Sequence, residues 1–242
     1  MAPARFEGRP YPQRVPVPPF RRPGRPAPWA ALSASQRRPI PLSRVVDAVA
    51  ARTAPARTDE AGRHGAAPSA ILVALFEVAG EARVVLTRRS MDLRAHRGEV
   101  ALPGGRGEAH ESPWATALRE AEEEVGLDPS AVEHVGRLSD LSTIAMGTAI
   151  VPVVGALAQP PALTPAPGEV DRVFSAALSD LAADDAFLEE RWRREAPRPG
   201  ADDEGFFPIQ FVYAEGELVW GATARVLTEL LSVALGVDTP RH

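Results

Sequence analysis

Residues 103–127 read Pro103-Gly104-Gly105-Arg106-Gly107-Glu108-Ala109-His110-Glu111-Ser112-Pro113-Trp114-Ala115-Thr116-Ala117-Leu118-Arg119-Glu120-Ala121-Glu122-Glu123-Glu124-Val125-Gly126-Leu127. The pattern predicts a helix over 113–125. Ser112 can cap it, Pro113 suits the first helical position, and Gly126 can end it in the left-handed conformation. Leu118, Ala121 and Val125 fall at i, i+3 and i+7, so one stripe faces a core. Glu120, Glu123 and Glu124 fall at i, i+3 and i+4 and share another face. Three carboxylates there repel one another, and two lie in the last turn, where the helix dipole disfavours negative charge. Arg119 reaches Glu123 at i+4 but cannot neutralise all three. Such an arrangement costs helix stability and is read either as a solvated acidic face or as a site with a compensating cation. An oxygen-only set suits a hard divalent ion, Mg²⁺ or Mn²⁺. Magnesium held by carboxylates normally works with substrate phosphates, and Gly104-Gly105 permit close backbone approach of such a ligand.

Outward from this helix, residues 70–77 (Ala-Ile-Leu-Val-Ala-Leu-Phe-Glu) predict a buried strand, turned by Gly80-Glu81 into a hairpin partner at 84–87. Further strands are expected at 133–138, 148–158, 207–213 and 217–220, the last two joined by Ala214-Glu215-Gly216. A helix is expected over 222–235, with Val226, Leu227, Leu230, Leu231 and Ala234 on one face, and a weaker one near 178–192. A short helix at 41–52, capped by Ser43, precedes a linker over 53–68. Strands and helices mix without a regular βαβ repeat, which favours the α+β class.

The chain has 242 residues, 45% of them hydrophobic and 24% charged, as in a soluble globular protein with a real core. It has no cysteine, which excludes disulfides, thiolate metal sites and cysteine nucleophiles. It also lacks lysine, so all 27 basic residues are arginine, and P-loop or Schiff-base chemistry is excluded. No apolar run approaches the roughly 20 residues of a membrane helix, and no apolar leader is present; a cytoplasmic protein is the default expectation. Residues 1–44 hold nine arginines, one acid (Glu7) and 11 of the 25 prolines. Proline at that density blocks helices and central strands, so residues 1–40 are expected to form an extended, largely disordered basic arm. It would be a solvated tail, a loose cover on the acidic body, or a contact for nucleic acid or a partner. The organisation is then an arm at 1–40, a short helix and linker at 41–68, and a folded domain at 69–237.

The segment from Gly105 fits G-x5-E-x7-R-E-U-x-E-E-x-G-U, where U is aliphatic. Gly105, Glu111, Arg119, Glu120, Glu123, Glu124 and Gly126 fill every fixed position. This resembles the Nudix hydrolase box, with Ala121 small for an aliphatic position. Residues 86–105, from Leu86-Thr87-Arg88-Arg89-Ser90 through Arg94 and Gly98 to Pro103-Gly104-Gly105, are similar to the coenzyme A pyrophosphatase signature L-L-T-x-R-S-x-x-x-R-x3-G-x3-F-P-G-G. Val85 and Leu102 depart from its first Leu and its Phe.

The resemblance implies a Nudix fold, a mixed sheet sandwiched between helices. It also implies a divalent-metal-dependent hydrolase that cuts the pyrophosphate of CoA or acyl-CoA to 3′,5′-ADP and a 4′-phosphopantetheine species. Alternatives are ADP-ribose or a dinucleotide as substrate, or a non-catalytic binding module; a homodimer is common in the family. Carried over by position, Glu120 and Glu124 are the main metal ligands, Glu123 supports them, Arg119 orients the cluster and Gly105 contributes its backbone. Glu111 touches a metal through water or shapes the loop. The general base is open among Glu120, Glu169, Asp140 and Glu108. Arg94, His96 and Arg97, ahead of Gly104, form either a cradle for the 3′-phosphate of CoA or a structural ion pair and turn. Trp220 stacks on adenine or fills a strand end.

Overall fold

A computed structural model describes residues 11–52, 69–143, 148–193 and 201–238. Ahead of the linker come β1 (Arg21–Pro23), α1 (Ala34–Arg37) and α2 (Leu42–Ala50). Then follow β2 (Ser69–Val78), β3 (Glu81–Arg89), β4 (Val100–Ala101), β5 (Gly104–Arg106) and α3 (Pro113–Val125). The remainder is β6 (Val132–Arg137), β7 (Leu141–Thr143), β8 (Thr148–Leu157), β9 (Val170–Ala177), α4 (Leu178–Leu181), β10 (Phe187–Arg193), β11 (Phe206–Ala214), β12 (Glu217–Trp220) and α5 (Gly221–Leu235).

The continuous apolar run of β2 has a simple cause: both faces of the strand are covered. Ala70, Leu72, Ala74 and Phe76 pack with Ala117, Ala121 and Val125 of α3. Val73 and Leu75 point the other way, into a larger core shared with Val226, Leu227, Leu230 and Leu231 of α5 and Val45 and Val49 of α2. β2 runs parallel to β8 and antiparallel to β3, in a mixed sheet ordered β4-β3-β2-β8-β6. β5 adds to β2, β7 to β8 and β9 to β3. The sheet is therefore sandwiched between α3 and the pair α2 and α5, as expected for the Nudix fold. Ala121 is fully buried in the α3 layer. Its small side chain lets the helix lie close to the strands, and Gly155 of β8 leaves room for the Val132 side chain of β6, which a Cβ would strike.

A second sheet, β1-β10-β11-β12, was only half anticipated. The expected helix near 178–192 is one turn, α4, followed by strand β10. The charged run Glu189-Glu190-Arg191 is tolerated in a strand because each member meets a partner. Glu189 accepts the Arg25 backbone N–H, Glu190 pairs with Arg21 at 2.9 Å, and Arg191 pairs with Asp202 at 3.0 Å.

The arm departs most from expectation. Residues 11–40 pack against the body instead of lying loose. β1 pairs antiparallel with β10 as an edge strand, the position in a sheet where Pro23 costs no ladder bond. Trp29 and Ile40 have no exposure and belong to the main core. Trp29 sits edge-on to Phe187 at 5.6 Å. Gln13 is buried and donates its side-chain amide to the Leu218 carbonyl. Helix α2 starts at Leu42 with Pro41 in the N-cap position, so Ser43 lies inside the first turn instead of capping it. Residues 1–10 and the linker 53–68 lie outside the described residues. Among the described residues no helix is long and apolar enough to cross a membrane.

Candidate active site

Helix α3 starts and stops where its sequence signals it. Ser112 Oγ accepts the Ala115 N–H, Pro113 opens the helix, and Gly126 closes it at φ 65°. Ahead of it, Gly104 and Gly105 pair with Ile71 and Ala70 of β2. Gly104 has φ 152°, and a Cβ there would lie 2.3 Å from the Ala70 carbonyl oxygen. A Cβ on Gly105 would lie 2.4 Å from Glu120 Oε2. The two glycines thus bring β5 down onto both β2 and the acidic face of α3.

Arg119 is the hub. Its Nε donates to Glu111 Oε1 at 2.9 Å and its Nη2 to Glu111 Oε2 at 3.2 Å and the Arg106 carbonyl at 3.1 Å. Its Nη1 lies 3.0 Å from Glu120 and 3.1 Å from Glu123. Helical spacing showed only the Glu123 contact; the bidentate grip on Glu111 comes from the loop curling back over α3. Glu111 also accepts Thr116 Oγ1 and the Glu108 N–H, both at 2.9 Å. Together these bonds tie the loop ahead of α3 to the helix.

These contacts set the electrostatics. The Arg119 guanidinium, the Glu108 N–H and Thr116 hold the Glu111 carboxyl down at about 2. The same pairing raises Arg119 above the ordinary arginine range. Burial raises Glu120, with Glu123 and Glu169 repelling it and Arg119 opposing. Glu124 is 6% exposed, and burial pushes it up to about 7. The Gly104 N–H and Arg89 pull it down, while Glu120 and Glu169 push it up.

An acid titration tests the Glu111 lock. Its folded pKa lies below the ordinary 4.5, so its stabilising contribution is complete above about pH 4.5 and is lost as pH falls toward about 2. The expected result is that Glu111→Gln flattens the stability–pH curve in that window, read by urea unfolding at stepped pH. An unchanged curve refutes the lock.

The predicted residues divide cleanly. Glu120, Glu124, Gly104 and Gly105 meet at one place; Glu124 Oε2 accepts the Gly104 N–H at 3.1 Å, so that amide serves the helix rather than standing free for substrate. Glu123 is exposed and shares Arg119. Arg94, His96 and Arg97 are exposed on the loop between β3 and β4. His96 Nδ1 lies 3.0 Å from Glu99 Oε2 in a turn, with φ 55°. Among the described residues neither Arg94 nor Arg97 makes an ion pair. Of the outside acids, Glu169 acts electrostatically on both Glu120 and Glu124. Asp140 is held by Arg137 at 2.6 Å, and Glu108 is exposed. Trp220 packs beside Trp192, ring centroids 6.3 Å apart, as a strand-end filler. Arg89 was not singled out by the sequence: its Nη1 stands 3.6 Å from Glu124 Oε1. Only its place in the 86–105 signature hinted at it.

Among the described residues no three acidic or histidine side chains converge on one point. The donor set still fits a hard divalent cation. Glu120 and Glu124 repel each other beside the Gly105 backbone, and magnesium commonly takes one or two carboxylates with water and phosphate oxygens completing its shell.

The family model described as NUDIX domain matches residues 66–194. The chain is 38% identical over 172 residues to "Nudix hydrolase 15, mitochondrial" of Arabidopsis thaliana, covering 68% of this chain and 58% of that protein. It is 35% identical over 148 residues to "Uncharacterized Nudix hydrolase NudL" of Photorhabdus laumondii, covering 61% of this chain and 74% of that protein. The crystal structure of "a Nudix Hydrolase from M. Smegmatis, RenU" aligns with TM-score 0.42 at 25% identity, covering 48% of this chain and 73% of that one. The chain thus spans just over half the length of the Arabidopsis relatives, at 58% and 54%. With a complete box on α3 and the family model spanning more than half of the sequence, the chain belongs to the Nudix domain family.

Proposed function

We propose that the chain is a divalent-metal-dependent hydrolase of nucleoside-diphosphate-linked substrates. Its proposed reaction is cleavage of the pyrophosphate of coenzyme A or acyl-CoA to 3′,5′-ADP and (acyl-)4′-phosphopantetheine. The observation that carries the reading is the pair Glu120 and Glu124, set side by side against Gly104-Gly105, with Arg119 divided among Glu111, Glu120 and Glu123 and Glu124 left only the long 3.6 Å contact with Arg89. Mg²⁺ or Mn²⁺, when bound, supplies charge neutralisation at the phosphate oxygens and acidifies a water.

The chain's own residues do the rest. Glu120 and Glu124 hold the cation, and Glu123 adds negative potential at the rim. Arg119 keeps Glu120 and Glu123 oriented. Gly105 leaves room for ligands where a side chain would collide with Glu120. Glu169 is our choice of general base among the candidates, because its charge acts on both Glu120 and Glu124. The CoA assignment is supported by the 86–105 signature and by the exposed Arg94 and Arg97, free to grip a 3′-phosphate.

The test is a panel of CoA, acetyl-CoA, ADP-ribose, NADH and a diadenosine polyphosphate, with Mg²⁺, Mn²⁺ or chelator, and products identified by mass. Metal-dependent release of 3′,5′-ADP from CoA species is expected. Cleavage of ADP-ribose or the dinucleotides alone keeps the hydrolase and discards the CoA assignment. No cleavage of any member overturns the enzyme reading in favour of a binding module.

A further inference from the structure

Among residues 11–20 only Gln13 is buried. Pro12, Pro16, Pro18 and Pro19 have a fixed φ, which lowers the entropy lost when such a segment is ordered. Tyr11 and Val15, two residues to either side of Gln13, rest on Trp192, Phe207, Phe211 and Leu218 of the second sheet. The arm therefore runs over that sheet with Gln13 as its deepest residue.

Gln13 joins two parts of the molecule. Its side-chain amide donates to the Leu218 carbonyl of β12. β12 is an edge of its sheet and lies against β4, the strand that follows the loop over 90–99. Through its backbone Gln13 meets that loop. Gly98 is buried at φ 69°, and a Cβ there would lie 3.2 Å from the Gln13 nitrogen and 3.3 Å from the Pro12 carbonyl carbon. A glycine at this conformation lets loop and arm approach so closely. The loop leaves at Ser90, whose N–H donates to the Glu169 carbonyl at 2.8 Å. It returns at Gly98, whose N–H donates to the Arg89 carbonyl at 3.1 Å. Between these points Arg94, His96 and Arg97 are exposed, and Arg97 is the chain neighbour of Gly98. Holding Gly98 thus fixes where the Arg97 side chain starts.

We propose that Gln13 is a positioning residue for substrate recognition. It straps the return of the 90–99 loop to β12, and so holds Arg97 and Arg94 where they meet the 3′-phosphate of CoA. The inference rests on the CoA reading above and adds to it a residue outside the segment 66–194 that matches the NUDIX domain. One hydrogen bond is a small part of global stability, but it weighs heavily on a loop with few buried contacts.

The test compares CoA with dephospho-CoA, which lacks only the 3′-phosphate. Gln13→Met keeps the length and bulk of the side chain and removes the donor. In this variant KM for CoA should rise about fivefold, the scale of one lost hydrogen bond, while KM for dephospho-CoA stays within about twofold of wild type. A merely structural role would move both substrates together. Exchange of the Leu93, Gly98 and Glu99 amides, which bond within the loop and its neck, should quicken about fivefold by NMR. Gln13→Asn keeps the amide on a shorter stem and should give smaller changes in the same direction. Thermal midpoints check folding; if Gln13→Met does not fold, Gln13→Asn decides.

Equal changes in KM for the two substrates, no change for CoA, or unchanged exchange in the loop overturns the proposal. If wild type cleaves no CoA species, the CoA reading falls by itself. The strap is then judged by calorimetric binding of 3′,5′-ADP, which carries the same phosphate. Weaker binding in Gln13→Met together with faster loop exchange supports it; equal binding, or none by wild type, overturns it.

Discussion

Glu124→Gln is expected to lower metal-dependent hydrolysis about 10³-fold, the scale of losing one preorganised charge-stabilising group at a reacting centre. The fall should lie in kcat, because the group acts on charge that develops during the reaction. Glutamine keeps a side-chain oxygen to accept the Gly104 N–H. It also removes a buried carboxylate whose pKa is pushed up to about 7, so that its charge opposes folding at higher pH. The variant should therefore unfold no earlier than wild type at pH 8 while losing activity. A parallel loss of activity and thermal midpoint would instead make Glu124 a structural residue. Glu120→Gln should behave alike in activity, since its carboxylate lies against the Gly105 backbone at the same place.

The second large effect is on stability and concerns the arm. Trp29 is fully buried and packs edge-on to Phe187 in the main core. Trp29→Ala should cost about 3–5 kcal/mol, as large-to-small core substitutions do. That corresponds to a fall of roughly 6–20 °C in Tm for a domain of this size. Phe20→Ala, at a residue 60% exposed on the same arm, should change stability by less than about 0.5 kcal/mol. Urea unfolding of the three proteins measures both. A Trp29→Ala variant as stable as wild type would show that the arm is not part of the core. The same burial means that deleting residues 1–44 removes Trp29 and Ile40, so a function of the basic arm has to be probed by point substitution or by trimming ahead of Tyr11.

What was legible in the sequence was local. Helix α3 carries its cap, its opening proline and its closing glycine within one segment, and the structure starts and stops it at the expected residues. β2 was legible because a strand covered on both faces must be apolar throughout. The hairpin turns at Gly80 and Gly216 were legible because both need positive φ, and both have it. What failed was settled by partners distant in the chain. β10 looks helical until Arg21 and Asp202 pair with Glu190 and Arg191 and the Arg25 backbone N–H binds Glu189. The proline-rich arm looks loose until an edge position on β10 and a gap beside Phe187 receive it.

The site divides the same way. Spacing along α3 placed the glutamates on one face. It could not show that Arg119 holds Glu111 across the loop, or that Glu169 reaches the same field from the start of β9. Nor could it single out Arg89, which becomes informative only once α3 lies over β3.

The central claim is that the acidic face of α3 is a divalent-metal centre. Titration of Mn²⁺ into wild type, Glu120→Gln and Glu124→Gln, followed by the resonance of the free ion, tests it without relying on turnover. Wild type should take up Mn²⁺, and each variant should bind it at least about tenfold more weakly, the penalty expected when a ligand or its close support is lost. Equal affinity in all three proteins would place the cation elsewhere and contradict the account.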